Sequence, residues 1–127
     1  MDGKFLGTII EESLGDKSVL QKIKILKTRV EPVVERHKTP WLKQWTLHTV
    51  EIPESEAGQV AQELSKALES EHNWYADYKN GSTHYIIFNG KIFKIDRKSG
   101  EQYSEAKQYG ISLGIPPYQV NFSPNIK

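Results

Sequence analysis

The sequence predicts an α+β fold with a ferredoxin-like βαββαβ start, then a C-terminal three-stranded β-meander and a helix, on a largely antiparallel sheet. Three observations predict it. Two Asn-Gly steps, Asn80-Gly81 and Asn89-Gly90, lie nine residues apart inside "WYADYKNGSTHYIIFNGKIFKID", residues 74–96. Asn-Gly is a strong hairpin signal because both residues tolerate the positive φ of a type I′ turn. Val60, Ala61, Leu64, Ala67 and Leu68 fall on one stripe at helical spacing. Leu26, Thr28 and Val30 alternate with Lys27, Arg29 and Glu31, the two-residue period of a half-buried strand.

In chain order, Lys4 to Ser13 reads as a strand with imperfect alternation at Phe5, Leu6, Ile9 and Ile10. Asp16 or Ser18 then caps a short helix, with Ser18 and Gln21 at capping-box spacing. A second strand runs from about Ile25 to Glu35, bulged or at an edge at Pro32, which cannot donate to a ladder. Thr39-Pro40 suits a single helical turn. Trp45 to Ile52 is the third strand, and Ser55 to Ser70 the first full helix, with Glu54 and Glu56 favoured near its start by the helix dipole. The meander follows as 74–79, 82–88 and 91–97, with the two helices expected on one face of the sheet. A last helix starts at Ser99 and stops at Gly110, and "PPYQVNF" is extended.

The chain of 127 residues fits one domain, 1–127, since domains usually run to about 100–150 residues. It contains no cysteine, which excludes disulfides, thiolate zinc sites, iron–sulfur clusters and a Cys nucleophile. The N-terminal stretch lacks the basic start and longer apolar segment of a signal peptide, and no apolar run approaches about 18 residues. No membrane span is expected, and the location reads as cytoplasmic. Net charge is +1, against a non-specific nucleic-acid binder, but residues 17–45 carry +6 and residues 46–77 carry -6. These blocks either mix in space and cancel or give a dipolar surface that guides an anionic partner.

Two-residue turns would set Asp77 opposite His84, with His84 also beside Ile95. A carboxylate across a strand favours the imidazolium. Asp77 and His84 are therefore the candidate acid–base pair, although a nucleophile and a cleft are not visible in the sequence. The alternative is a cross-strand pair contributing about 0.2–1 kcal/mol. A second set, Trp45, Trp74, Tyr78, Tyr85, Lys94 and Arg29, supplies candidate ligand-binding residues, because Trp and Tyr suit pocket walls and interfaces. Ordinary core is the competing reading for these aromatics. His37, His48, His72 and His84 have no metal-like spacing, so no metal site is expected. There is no P-loop, G-x-G-x-x-G or G-x-S-x-G, and no cofactor is expected. Basic and aromatic residues interleave in "HYIIFNGKIFKIDRK", but the aromatic octamer of the RNA-recognition motif is missing.

The segments "EHNWYADYKNGSTHYIIFNGKIFKIDR" and "YGISLGIPPYQVNF" resemble a family of small prokaryotic proteins of unknown function. That resemblance implies a stand-alone cytosolic domain and carries no catalytic or binding residues. The leading expectation is a non-catalytic domain that binds a small molecule or a protein and self-associates, since β-rich small domains expose edges that need cover. The alternatives are a small enzyme using Asp77 and His84, with Arg29 or Lys94 holding an anion, and an RNA-binding module using the aromatic and basic strands.

Overall fold

Residues 3–32, 44–69 and 74–115 are described by a computed structural model. Six strands form one sheet: β1 (Phe5–Ile10), β2 (Lys24–Pro32), β3 (Gln44–Ile52), β4 (Tyr75–Lys79), β5 (Thr83–Phe88) and β6 (Lys91–Asp96). The helices are α1 (Ala57–Ala67) and α2 (Gly100–Ser112). The spatial order is β2-β3-β1-β4-β5-β6, and every neighbouring pair is antiparallel.

This is a mixed α+β fold with an antiparallel sheet, but the ferredoxin-like start needs correction. No α-helix joins β1 to β2. Two short 3-10 turns, Glu11–Ser13 and Lys17–Lys22, stand in its place. Ser13 Oγ donates to Ile10 O and ends β1 early, and Asp16 caps the second turn by accepting from Ser18 N–H. So brief a segment offers no apolar stripe long enough for an α-helix to bury. The meander extends the same sheet, giving six strands in an order that the four-stranded expectation does not contain. The Thr39-Pro40 turn and the extended "PPYQVNF" lie outside the described residues.

The helices sit on opposite faces, which corrects the expectation of one covered face. Side chains alternate along each strand, so the registers sort them. The first face carries Phe5, Ile9, Val50, Ile52, Tyr78 and Ile87, packed with Val60, Ala61 and Leu64 of α1. Full burial of each large aliphatic side chain there contributes about 1.5–3 kcal/mol. The second face carries Ile86, Phe88 and Ile95, packed with Tyr103 and Ala106 of α2. The stripe read from the sequence does face inward in α1. Alternating apolar residues on both faces of β5 explain why one helix layer is not enough: Ile86, Ile87 and Phe88 are all fully buried.

Two features adjust the sheet. Gly7 of β1 lies opposite Tyr78, where an added Cβ would stand 2.0 Å from Asp77 O, so only glycine permits this approach of β1 to β4. The helix expected to stop at Gly110 continues to Ser112. Ile115 N–H bonds Gly110 O and Gly114 N–H bonds Ile111 O, with Gly114 at φ 95°. This is a Schellman end, and it moves the stop four residues on because Ile111 and Leu113 pack against the α2 cluster.

Candidate functional site

The turn at Asn80 decides the geometry around Asp77 and His84. Asn80 Oδ1 accepts from both Ser82 N–H and Thr83 N–H, at 3.0 and 2.8 Å. Asn80 N–H donates to Thr83 O at 2.9 Å, and Gly81 is not among the glycines with positive φ. The side chain thus builds an Asx-type turn longer than the two-residue I′ turn expected. Lys79 pairs with His84, and Asp77 with Ile86, so Asp77 and His84 are diagonal rather than directly opposite. The register moves by an even step, and both stay on the second face. The other Asn-Gly behaves as expected: Phe88 pairs with Lys91 and Gly90 has φ 79°.

His84 Nε2 lies 2.7 Å from Asp77 Oδ2, and Nδ1 lies 3.0 Å from Tyr103 Oη. A carboxylate only accepts, so Nε2–H is the donor to Asp77, and Nδ1 shares a hydrogen bond with the Tyr103 hydroxyl. Ser99 caps α2 by accepting from Gln102 N–H, which fixes the first turn and brings Tyr103 down onto β5. Burial raises the Tyr103 hydroxyl pKa, opposed by a hydrogen bond from Arg97. Arg97 Nη1 also donates to Asn80 O at 2.7 Å. Burial lowers the pKa of nearby Lys79, with Asp77 opposing and Arg97 adding.

The result is a relay from Arg97 through Tyr103 and His84 to Asp77, tying α2 to β4, β5 and the turn at Asn80. The His84 side chain is 0% exposed and that of Asp77 27%. Both ring nitrogens are engaged and no face of the imidazole meets solvent, so a substrate reaches the carboxylate before it reaches the base.

A second histidine–carboxylate pair was not singled out in the sequence. His48 of β3 is buried, with Nε2 2.9 Å from Glu11 Oε1 and Nδ1 2.9 Å from Thr28 Oγ1. Its hydrogen bond to Glu11 is the largest cause holding that carboxyl below the usual range; burial opposes and Lys17 adds. The alternation of β2 and β3 sets Thr28 opposite His48, but Glu11 reaches the ring only because the 3-10 turn after β1 folds back beside β3.

The candidate ligand residues divide into three places. Tyr78, Tyr85 and Lys94 form one cross-strand row on the first face, with Lys94 Nζ 5.9 Å from the Tyr85 ring centre. Tyr78 and Tyr85 pack with Phe5 at ring-centre distances of 5.5 and 5.4 Å, and the Tyr78 hydroxyl donates to Ala57 O at the start of α1. Trp45 and Trp74 meet edge to face at 5.8 Å, both buried. Arg29 lies on exposed β2, opposite Leu47 and diagonal to Trp45, and pairs with Glu31. Of the aromatics in the interleaved stretch, Tyr85 and Phe88 are buried and offer no stacking surface, and Phe93 is half-buried against Phe88 and Tyr109. One open depression is bordered by Ser82, Lys94, Asp96, Lys98 and Gln102, and another by Lys91, Phe93, Glu105 and Tyr109; Asp77 and His84 line neither.

Among the described residues, no group of three or more His, Cys, Asp or Glu could hold a metal ion, and no helix is long and apolar enough to cross a membrane. Comparisons with known protein families, curated proteins and solved structures found no match.

The sheet edge is the other conspicuous surface. In β2 every residue is exposed except the half-buried Glu31. Of the four exposed large hydrophobics among the described residues, Ile25, Leu26 and Val30 lie on this strand; the fourth is Leu6. The step from Ile25 to Lys27 is a β-bulge, with Leu26 the extra residue.

Proposed function

We propose that the protein is a non-catalytic binding domain whose partner is a protein, taken up along the outer edge of β2. One observation carries this reading: three large apolar side chains stand exposed on a single edge strand that neither helix covers. An edge strand offers unpaired N–H and C=O groups as a template for another strand, and side chains at alternate positions add selectivity. Self-association is one form this takes. The test is native mass spectrometry of protein freshly purified from cells, beside an Ile25→Lys/Val30→Lys variant. A protein-bound or dimeric species in the wild type, lost in the folded variant, is expected. A wild-type monomer, or a complex indifferent to both substitutions, overturns the reading.

A second reading, a small enzyme using Asp77 and His84, draws on their 2.7 Å hydrogen bond. The burial of the imidazole weighs against it. Any activity found by screening would have to disappear in a folded His84→Gln variant for this reading to stand.

A further inference from the structure

We infer that the β2 edge takes an extended acidic segment of another protein, with acidic and apolar residues in alternation, rather than a second copy of this chain. This rests on the proposed binding role of β2 and specifies its partner. Among the described residues, β2 pairs with β3 alone, so its outer backbone edge is open. Its two faces differ in chemistry. Pairing with Val50, His48 and Thr46 sets Ile25, Thr28 and Val30 on the first face. Pairing with Glu51, Thr49, Leu47 and Trp45 sets Lys24, Lys27, Arg29 and Glu31 on the other. One side is therefore apolar or β-branched, and the other is net positive.

A segment added to this edge presents its own side chains with the same two-residue period. Acidic residues at alternate positions would face Lys27 and Arg29, while apolar residues between them would lie beside Ile25 and Val30. Opposite charges directly across a strand pair stabilise it, and like charges destabilise it. An acidic segment meets Lys27 and Arg29 with no like-charge pair, which a second copy does not in the registers that use most of β2. A two-fold antiparallel pairing that uses most of β2 centres on Lys27, Thr28 or Arg29. Each of those registers includes a like-charge pair: Lys27 against Lys27, Lys27 against Arg29, or Arg29 against Arg29, the last with Lys27 against Glu31 on either side. Centring on Val30 avoids the conflict but runs onto Pro32, which has no N–H to donate. Glu51 draws Lys24 inward at 3.4 Å and Glu31 pairs with Arg29. Lys27 has no ion pair among the described residues, so charge reversal should read out most clearly there, with Arg29 beside it on the same face.

The test uses the full chain and two fluorescein-labelled heptapeptides, Glu-Val-Glu-Thr-Glu-Val-Glu and the same sequence with Lys for every Glu. Fluorescence anisotropy gives affinity, and amide NMR shifts locate binding. The acidic peptide is expected to bind at least about tenfold more tightly than the basic one at about 50 mM salt, to weaken as salt rises, and to shift amides of Lys24–Pro32. In Lys27→Glu/Arg29→Glu the preference should reverse; both positions are exposed, and circular dichroism checks that this variant folds. Equal binding of the two peptides, no binding, shifts elsewhere, or a preference unchanged in the variant each overturns the inference. If a complex in native mass spectrometry still depends on Ile25 and Val30, the binding role of β2 stands and only the acidic partner falls. A dimer through β2 that the acidic peptide fails to displace identifies a second copy as the occupant and also overturns it.

Discussion

The two ends of the sheet hold similar polar devices in opposite surroundings. At the meander end, His84 joins Asp77 and Tyr103 beneath α2, with α1 on the other face. At the β2 end, His48 joins Glu11 and Thr28, one strand from an edge that neither α1 nor α2 covers. Each ring lies between a carboxylate and a hydroxyl. At the meander end the hydroxyl comes from a buried helix residue, and at the other end from an exposed strand residue. The comparison teaches that a histidine–carboxylate hydrogen bond does not by itself define a reaction centre. At one end the same ring also holds the Tyr103 hydroxyl and fastens α2 to the sheet; at the other it holds Thr28 and braces β2, whose outer edge is unpaired among the described residues.

The largest expected effect strikes the joint between the ends. Gly7→Ala would drive a Cβ into Asp77 O and the Tyr78 backbone, which cannot move aside as a flexible side chain can. We expect a loss of about 3 kcal/mol or failure to fold, read by urea denaturation. Next is Tyr103→Phe, which removes the hydroxyl bonded to His84 Nδ1 and deprives a buried ring nitrogen of that hydrogen bond. A cost of about 2 kcal/mol is expected. The matching deletion at the open end, Thr28→Val, should cost less than about 1 kcal/mol, because water can replace a partner on an exposed strand. Equal costs for the two deletions would break the comparison.

The smallest effect is a pH dependence at the open end. The folded-state pKa of Glu11 is lowered, chiefly by His48, so the group binds protons less readily folded than unfolded. Its stabilising contribution is therefore present above its unfolded pKa of about 4.3 and is lost as pH falls through the lower folded value. Wild type should exceed Glu11→Gln by less than about 1 kcal/mol at neutral pH, and the gap should close in acid. A gap that widens in acid would contradict this assignment.

Part of the site was legible in the sequence because strand alternation and hairpin parity survive small errors. The turn at Asn80 was misread, yet Asp77 and His84 remained on one face, since the register changed by an even step. Tyr103 was not legible as their partner. It depends on which face α2 covers, and β5 is apolar on both faces, so alternation gave no preference. Glu11 was hidden for a similar reason. Nothing local says that a 3-10 turn will fold back against a strand 37 residues away. The ligand-binding set comes together only in part, with Tyr78, Tyr85 and Lys94 in one row and Trp45 beside Trp74, because aromatic content reports burial as readily as recognition. Tyr78 and Tyr85 are core, the two Trp residues are buried against each other, and Arg29 belongs to a separate edge.

By itself the sequence determined the local elements: the stripe of α1, the Ser99 cap of α2, the turn at Asn89-Gly90, the alternation of β3, and the exclusion of thiol chemistry; the half-buried period read in β2 is not kept, since a bulge displaces Leu26 and the strand is exposed. These rest on backbone preferences and apolar periods within a few residues of one another. Only the tertiary structure decided that β1 lies inside the sheet, that the helices take opposite faces, that His84 is sealed and that β2 has a single neighbour among the described strands. Those outcomes follow from which apolar faces bury each other across long sequence separations, and from the close approach that Gly7 permits between β1 and β4.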